Sequence, residues 1–413
     1  MYSKIRKIII VGGGAAGFFA AINAAENAKL NNMAVDVQIL EASGAILKKV
    51  SISGGGRCNV THNLFEVRAF CERYPRGAKE LLSAFQRFQA RDTVEWFQKR
   101  GVTLVAEADG RMFPDTNTSE TIIKCFQEAA ANSGVQVKLN HKVESLQKQE
   151  TGKFMVQIRT GETIEADSVM IATGSSTFGH TLAKELGHTI TELAPSLFSF
   201  KIEDPMLNDL PGLSFENAEV KLLIPNEKPF KEKGPMLITH WGLSGPAVLK
   251  ISAWAAREML HSDYKAQLKI NWMGADRIET VLDILKKAKT AGVKSQVHNV
   301  YPEQLAKRFW VKVLEKAKTP EDKRWADISN KELQAIADVL FATTFEVLGK
   351  NRYKDEFVEC GGVDLKEVNF KKMESKICPG LYFAGEVLDI DGITGGFNFQ
   401  NAWTGAWIAS QNL

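Results

Sequence analysis

Cysteine, histidine and long apolar runs are all scarce in this chain of 413 residues. Each scarcity excludes something. The five cysteines, Cys58, Cys71, Cys125, Cys360 and Cys378, contain no C-x-x-C pair and are odd in number. That pattern argues against a disulfide framework or a zinc site and for reduced thiols in a cytoplasmic compartment. The seven histidines are scattered without an H-E-x-x-H, so no metal constellation stands out. No stretch reaches the ~20 apolar residues of a membrane span. The basic and apolar opening from Lys4 to Val11 copies the start of a signal peptide, but glycines interrupt it and Asn23 and Glu26 fall where cleavage would follow. Charge is balanced, with 52 Lys+Arg against 49 Asp+Glu. A net +3 is too small to argue for nucleic acid or an anionic membrane.

Glycine is present in ordinary amount, 32 in all, but it bunches at 12–17, 54–56 and 385–405. A chain this long predicts roughly two or three domains. Residues 5–11 read as a buried strand, Ala15 to Asn27 as a helix and Met33 to Leu40 as a second strand. Strand, tight turn, helix and strand make a parallel βαβ unit. Helices are predicted over about 79–100, stopped by Gly101, and about 120–132. Asn117 and Glu120 would cap the second, and Gly134 would end it. Short strands over 135–139, 142–147, 154–159 and 163–166 lead into Val169-Met170-Ile171-Ala172, closed by Thr173-Gly174. Residues 197–272 are strand-rich, for instance at 220–224 and 236–239, and residues 277–345 are helical. Pro302 suits a first helical turn, and Ser329-Asn330-Lys331-Glu332 forms a capping box. Lys and Glu mix along this helical stretch, as on solvated faces. A strand at 381–384 and a helix near 398–410 close the chain.

Val11-Gly12-Gly13-Gly14-Ala15-Ala16-Gly17 matches G-x-G-x-x-G directly after a strand and opening a helix, the context that makes this pattern informative. Gly12 permits the tight turn, Gly14 admits a pyrophosphate, and Gly17 lets helix and sheet pack closely. Gly13, Ala15 and Ala16 supply the surrounding N–H groups at the helix N-terminus. Glu41, directly after the second strand, suits the ribose hydroxyls of an adenosine and disfavours an NADP 2′-phosphate. These two features do not choose between FAD and NAD.

Ser53-Gly54-Gly55-Gly56-Arg57-Cys58-Asn59-Val60-Thr61, Gly242-Leu243-Ser244-Gly245-Pro246 and the block from Gly380 to Gln400 settle the choice by resemblance. With them the chain resembles, over nearly its whole length, the two-dinucleotide-binding-fold flavoproteins. Within these it is similar to the BaiN-like group, also called the aminoacetone oxidase family of FAD-binding enzymes. The resemblance implies FAD as cofactor. Gly385 and Glu386 would meet the ribityl chain, Glu386 standing where the wider class has Asp. Gly396, Phe397 and Asn398 would bring backbone and a helix N-terminus against the flavin ring. Gly56, Arg57, Cys58 and Asn59 would form the flavin-side loop, with Arg57 pairing to pyrophosphate or reduced flavin. Ala172, Thr173 and Gly174 would lie by the adenosine and pyrophosphate, and Val143 would contact adenine. The compact loop Ser175-Ser176-Thr177-Phe178-Gly179-His180 replaces a longer Gly/Thr-rich loop of the group. It marks a divergent branch to which a substrate is not simply transferred.

The expected fold is α/β and Rossmann-like. A discontinuous FAD domain would comprise 1–195 and 355–413, with a β-rich insertion at 196–273 returning near 343–354 and a helical insertion at 274–342. The substrate would meet the flavin under the insertions. The expected function is an FAD-dependent oxidoreductase acting on a small molecule. No second nucleotide-binding motif exists, so NAD(P)H as donor would dock transiently on the flavin face. No membrane partner is expected, and nucleic acid is disfavoured by the balanced charge. Two alternatives remain: an FAD-containing tRNA-modifying or RNA-binding protein, and a flavin-based redox sensor in which Cys58 or the insertion signals the cofactor's state. No residue stands out as catalytic acid or base, although Asp391 and Asn59 fall near the expected ring. Gly242-Leu243-Ser244-Gly245-Pro246 is not a nucleophile elbow, since Pro246 stands where glycine is needed.

Overall fold

The computed structural model describes residues 5–351 and 358–413. The chain divides into two compact units, residues 1–194 with 358–413 and residues 195–357. The expected junction at 354/355 lies outside the described residues.

In the first unit, the apolar run Arg6–Val11 forms the central strand and pairs in parallel with both Val35–Leu40 and Ser168–Ile171. Gln136–Lys138 adds beside Val35–Leu40, and Leu381–Phe383 adds beside Ser168–Ile171, again in parallel. Read across the sheet, the parallel strands follow the chain order 3-2-1-4-5. This is the doubly wound arrangement that the βαβ pattern predicted, with its switch point beside the first strand. Ile8, Ile9 and Ile10 are buried on both faces, which explains why the strand is a continuous apolar run rather than an alternating one. The helices Ala15–Leu30 and Phe397–Ser410 pack on each other and are buried almost all round, so neither shows a polar stripe. Of the short strands expected over 135–166, Val143–Lys148, Phe154–Ile158 and Thr163–Ala166 form an antiparallel meander, whereas Gln136–Lys138 belongs instead to the parallel sheet.

Three local expectations are corrected. The stretch 79–100 is two helices, Ala78–Phe85 and Ala90–Gln98. The second is restarted by Asp92, whose carboxylate accepts from the Gln89 N–H at 2.7 Å. The helix Ser119–Ser133 is capped by Thr118, not Asn117, because Asn117 takes a left-handed turn with φ 56°. Gly134 ends that helix as expected. Pro302 lies in a turn, and the helix begins only at Lys307.

In the second unit, Ser214–Leu223 and Phe230–Thr239 form a long antiparallel hairpin, with Ala266–Asn271 and Thr343–Val347 added outside its first strand. Helices Ile278–Ala291, Lys307–Lys316 and Asn330–Ala342 share one apolar core with this sheet, in which Trp310, Trp325, Leu268 and Ile336 are fully buried. The Ser329 capping box is present as predicted. Its Glu332 also receives Lys323 at 2.6 Å, and this lysine, with the Ser329 donors, holds the carboxyl down to about 2. A carboxyl lowered in the folded state adds stability above its unfolded value, and that stability is lost as pH falls. Glu332→Gln therefore has a lower melting temperature than the parent at pH 7, and the gap closes as pH drops from about 5 towards 2. A gap that persists at the acid end contradicts this reading of the cap.

Candidate functional site

Every carboxyl end of the four inner strands opens onto residues singled out from sequence: Gly12 after Val11, Glu41 after Leu40, Ala172 after Ile171, Ala384-Gly385-Glu386 after Phe383. Open α/β sheets bind ligands at this edge. All the expected cofactor residues lie in the first unit.

The approach at the first turn is close. Gly12 has φ 112°, and a Cβ there would stand 2.5 Å from the Ala172 carbonyl oxygen. A Cβ on Gly17 would stand 2.0 Å from the Gly12 oxygen, so the helix can lie on the turn only with glycine at that position. Above Gly14, by contrast, there is open space: an added Cβ meets nothing within 4 Å. The helix Ala15–Leu30 has no side-chain cap and no acidic residue in its first turn. The N–H groups of its first turn have no partner within the helix and suit an anion. Glu41 is fixed across the turn. The Gly13 N–H donates to its Oε2 at 2.8 Å, and the Ser43 N–H and hydroxyl donate to Oε1 at 2.8 and 2.7 Å. The His141 N–H donates to the Glu41 carbonyl, which brings the meander, with Val143 buried at its start, up to the same place.

The two later glycine clusters meet each other. Gly54, Gly55 and Gly56 all have left-handed backbone, and the turn hands over to Cys58 at φ 61°. The Asn59 amide donates to the Thr61 carbonyl at 3.0 Å and accepts from the Gly396 N–H at 2.9 Å. Gly396, at φ 90°, stands just before the helix Phe397–Ser410 without a side chain to cap it, and a Cβ on it would lie 2.5 Å from the Thr61 oxygen. Phe397 stacks on His62 at 4.9 Å, and Tyr74 donates its hydroxyl to the Phe397 carbonyl at 2.6 Å. Behind them Gln400 accepts from Thr61 at 2.6 Å and Thr93 at 2.9 Å and donates to Thr404 at 3.1 Å, a buried network joining three segments.

Several side chains are placed differently from the roles first considered. Arg57 is engaged by Glu107 at 2.7 Å and lies over the Phe113 ring at 4.0 Å, so its guanidinium is not aimed freely at an anion. The Asn398 side chain closes its own loop, accepting from the Gly392 N–H at 2.7 Å and donating to the Gly392 carbonyl at 2.9 Å. Asp391 is wholly buried and gripped by Arg76 through two hydrogen bonds, which makes it a structural ion pair. The Cys58 thiol is fully buried, and burial pushes it up to about 12 despite a bond from Ser53. Thr173 packs against Gly179, its hydroxyl buried without a partner.

Residues missed from sequence are Lys49, Ser175 and Asn401. Lys49 donates to Glu386 at 2.6 Å and to the Ser175 hydroxyl at 3.1 Å, tying the two ends of the chain together beside Gly174. Asn401 is buried with both amide atoms unpartnered, a cost that a ligand or water normally relieves. Nothing in the linear pattern marks a lone lysine or a mid-helix asparagine. The cradle fits a dinucleotide of the FAD kind: an open, uncapped helix N-terminus for the pyrophosphate, a fixed carboxylate for a ribose, and a second uncapped helix N-terminus at the far cluster. Among the described residues no group of His, Cys, Asp and Glu could hold a metal ion, and no helix is long and apolar enough to cross a membrane.

Comparison with known proteins gives the family and the fold. Residues 6–412 match the family described as HI0933-like protein Rossmann domain. A ribosomal RNA dihydrouridine synthase of Escherichia coli is 30% identical, covering 98% of this chain and 97% of its own. A protein of the same name from Haemophilus influenzae is 28% identical, covering 100% and 99%. A 3-dehydro-bile acid delta(4,6)-reductase of Clostridium scindens is 26% identical, covering 98% of each. Among solved structures, a 3-ketosteroid delta1-dehydrogenase from Sterolibacterium denitrificans has the same fold, with a TM-score of 0.51, 11% identity and 98% of each chain covered.

Two substitutions separate folding from binding. Gly14→Asp has room, and its carboxylate caps the helix, so melting temperature is unchanged or higher. The same carboxylate takes the N–H groups a phosphate needs, so FAD affinity measured by flavin fluorescence falls by about 100-fold or more, about 2.7 kcal/mol. Undiminished affinity contradicts the placement. Cys58→Ala leaves the flavin spectrum and its reduction rate unchanged, because a thiol held near 12 supplies no thiolate at neutral pH. A slowed reduction contradicts the inert reading.

Proposed function

The chain belongs to the HI0933-like Rossmann-domain family of FAD-binding oxidoreductases, and from that premise we propose that it reduces a carbon–carbon double bond conjugated to a carbonyl, with a uracil of ribosomal RNA as substrate. The observation that carries this is full-length likeness to three proteins whose names share one bond chemistry. Dihydrouridine is uridine with two hydrogens added across the bond next to its 4-carbonyl. A delta(4,6)-reductase acting on a 3-oxo bile acid adds hydrogens to double bonds in conjugation with that oxo group. The bond chemistry is common to both substrate classes, and the choice of the ribosomal RNA uracil rests on the two relatives that share that name, at 30% and 28% identity.

FAD, when bound, supplies two-electron hydride chemistry. The reaction adds a hydride equivalent to the carbon remote from the carbonyl and a proton to the carbon beside it, with a nicotinamide as the class of reductant. This chain's part is to bind and orient. The Ala15–Leu30 N-terminus would hold the negative charge of a pyrophosphate, and Glu41 would accept from a ribose hydroxyl. The Phe397–Ser410 N-terminus, without a side-chain cap and free of acid in its first turn, would offer positive potential to the ring of a bound flavin. The inert Cys58 and the paired Asp391 take no part in proton transfer.

The test is mass spectrometry of ribosomal RNA from cells with and without the gene, followed by in vitro repair with FAD-loaded protein and NADH or NADPH. Dihydrouridine disappears on deletion and returns with the protein. If ribosomal RNA is unchanged while an unsaturated 3-oxo steroid acid is reduced, the small-molecule reading favoured by the Clostridium relative takes its place. If neither is reduced, the bond chemistry itself is wrong.

A further inference from the structure

The second unit carries a row of like charge that its own structure does not explain. On the solvent face of its sheet, Lys221 stands directly opposite Lys231 on one neighbouring strand and Lys269 on the other. Lys231 and Lys269 are exposed and Lys221 is half-buried. The alternate positions of these strands, Val220, Leu222, Leu268 and Ile270, point into the core, so the three ammonium groups share the opposite face. The adjoining rows are matched in the ordinary way. Glu219 stands opposite Lys233, and Gln267 donates to Glu346 at 2.9 Å. Among the described residues none of the three lysines has an ion-pair or side-chain hydrogen-bond partner. Like charges directly opposite on a sheet are destabilising, so this row lowers the stability of the sheet unless an anion meets it.

We propose that Lys231, Lys221 and Lys269 form a contact surface for the phosphodiester backbone of the RNA substrate. The inference rests on the RNA reading of function and adds where the nucleic acid is held. Charge complementarity argues for it. Adjacent strands lie about 4.8 Å apart, so the row presents a line of three ammonium groups on flexible stems, able to reach phosphates along one strand. Phosphate contacts of this kind position a nucleic acid without reading its bases, so the surface needs no base-specific side chain. A near-neutral chain is no obstacle to such a contact, because a local row of three lysines without carboxylate partners can meet phosphates whatever the net charge.

The test uses the FAD-loaded full chain, a short fluorescein-labelled oligouridylate read by anisotropy over a series of KCl concentrations, and unmodified ribosomal RNA as substrate. The variants are K221A/K231A/K269A and, as a control with equal charge loss on the helices, K286A/K287A/K307A. The row variant is expected to bind the oligouridylate on the order of tenfold more weakly at low salt. Its slope of log affinity against log salt is expected to be shallower by about 2, since each phosphate no longer neutralised removes ~0.7. The helical control is expected to bind like the parent. The row variant's melting temperature is expected to be unchanged or higher, because repulsion is relieved. Equal weakening in both variants, or none in the row variant, overturns the proposal. So does a weakening seen only toward phosphatidylserine vesicles. If the parent forms dihydrouridine in ribosomal RNA and the row variant does so with unchanged KM, the surface is wrong and the function stands. If the parent forms none, yet its RNA affinity falls when the row is removed, the function fails and the surface stands.

Discussion

The structure depends on one close approach. Strand Arg6–Val11 pairs with Ser168–Ile171, and at their carboxyl ends Gly12 passes so near the Ala172 carbonyl that no side chain fits between them. Because Ser168–Ile171 also pairs with Leu381–Phe383, this edge brings residues from both ends of the chain to the same place. Gly17 then lets the first helix lie down on the turn, and Gly385, at φ 78°, makes the left-handed turn that lies between the first and last helices beside Ala16 and Ala402. A cradle built from both ends of the chain follows from this packing.

Electrostatics sorts the residues around that edge. Two buried helices point uncapped N-termini without first-turn acids, while the carboxylates nearby are all held: Glu41 by Gly13 and Ser43, Glu386 by Lys49, and Asp391 by Arg76. Breaking the Arg76–Asp391 pair would leave a buried charge unmatched, a cost of about 3–5 kcal/mol, so its role is to fix the turn that carries Gly395 and Gly396. The bidentate grip explains why Asp391, near the ring in sequence order, is unavailable as a proton donor.

Much of this was legible in the sequence, for physical reasons. Gly12, Gly14 and Gly17 were readable because a phosphate turn demands glycine at fixed spacing, and the apolar run at 8–11 could only be a strand buried on both faces. The family resemblance supplied the far cluster, since no periodicity could say that Gly396 would meet Thr61 across more than three hundred residues. What escaped were side-chain destinations. Arg57 looks like an anion ligand until Glu107, from a separate hairpin, is seen to hold it. Lys49 looks like a surface lysine until Glu386 arrives from the other end of the chain. Boundaries moved where a local cap outweighed a longer-range pattern, as at Thr118 and Asp92. The lysine row needed strand register, which the hydrophobic pattern of 214–239 does not specify against its neighbours.

The central claim is that the two glycine-rich ends hold opposite halves of one FAD. A crystal structure of the protein with FAD bound tests it most directly. The account predicts the pyrophosphate on the N–H groups of the Ala15–Leu30 helix, a ribose on Glu41, and the flavin ring against Gly395 and Gly396 beside the start of the Phe397–Ser410 helix. A dinucleotide that occupies only the Gly12–Glu41 half, with its other half directed away from Gly396, would contradict it.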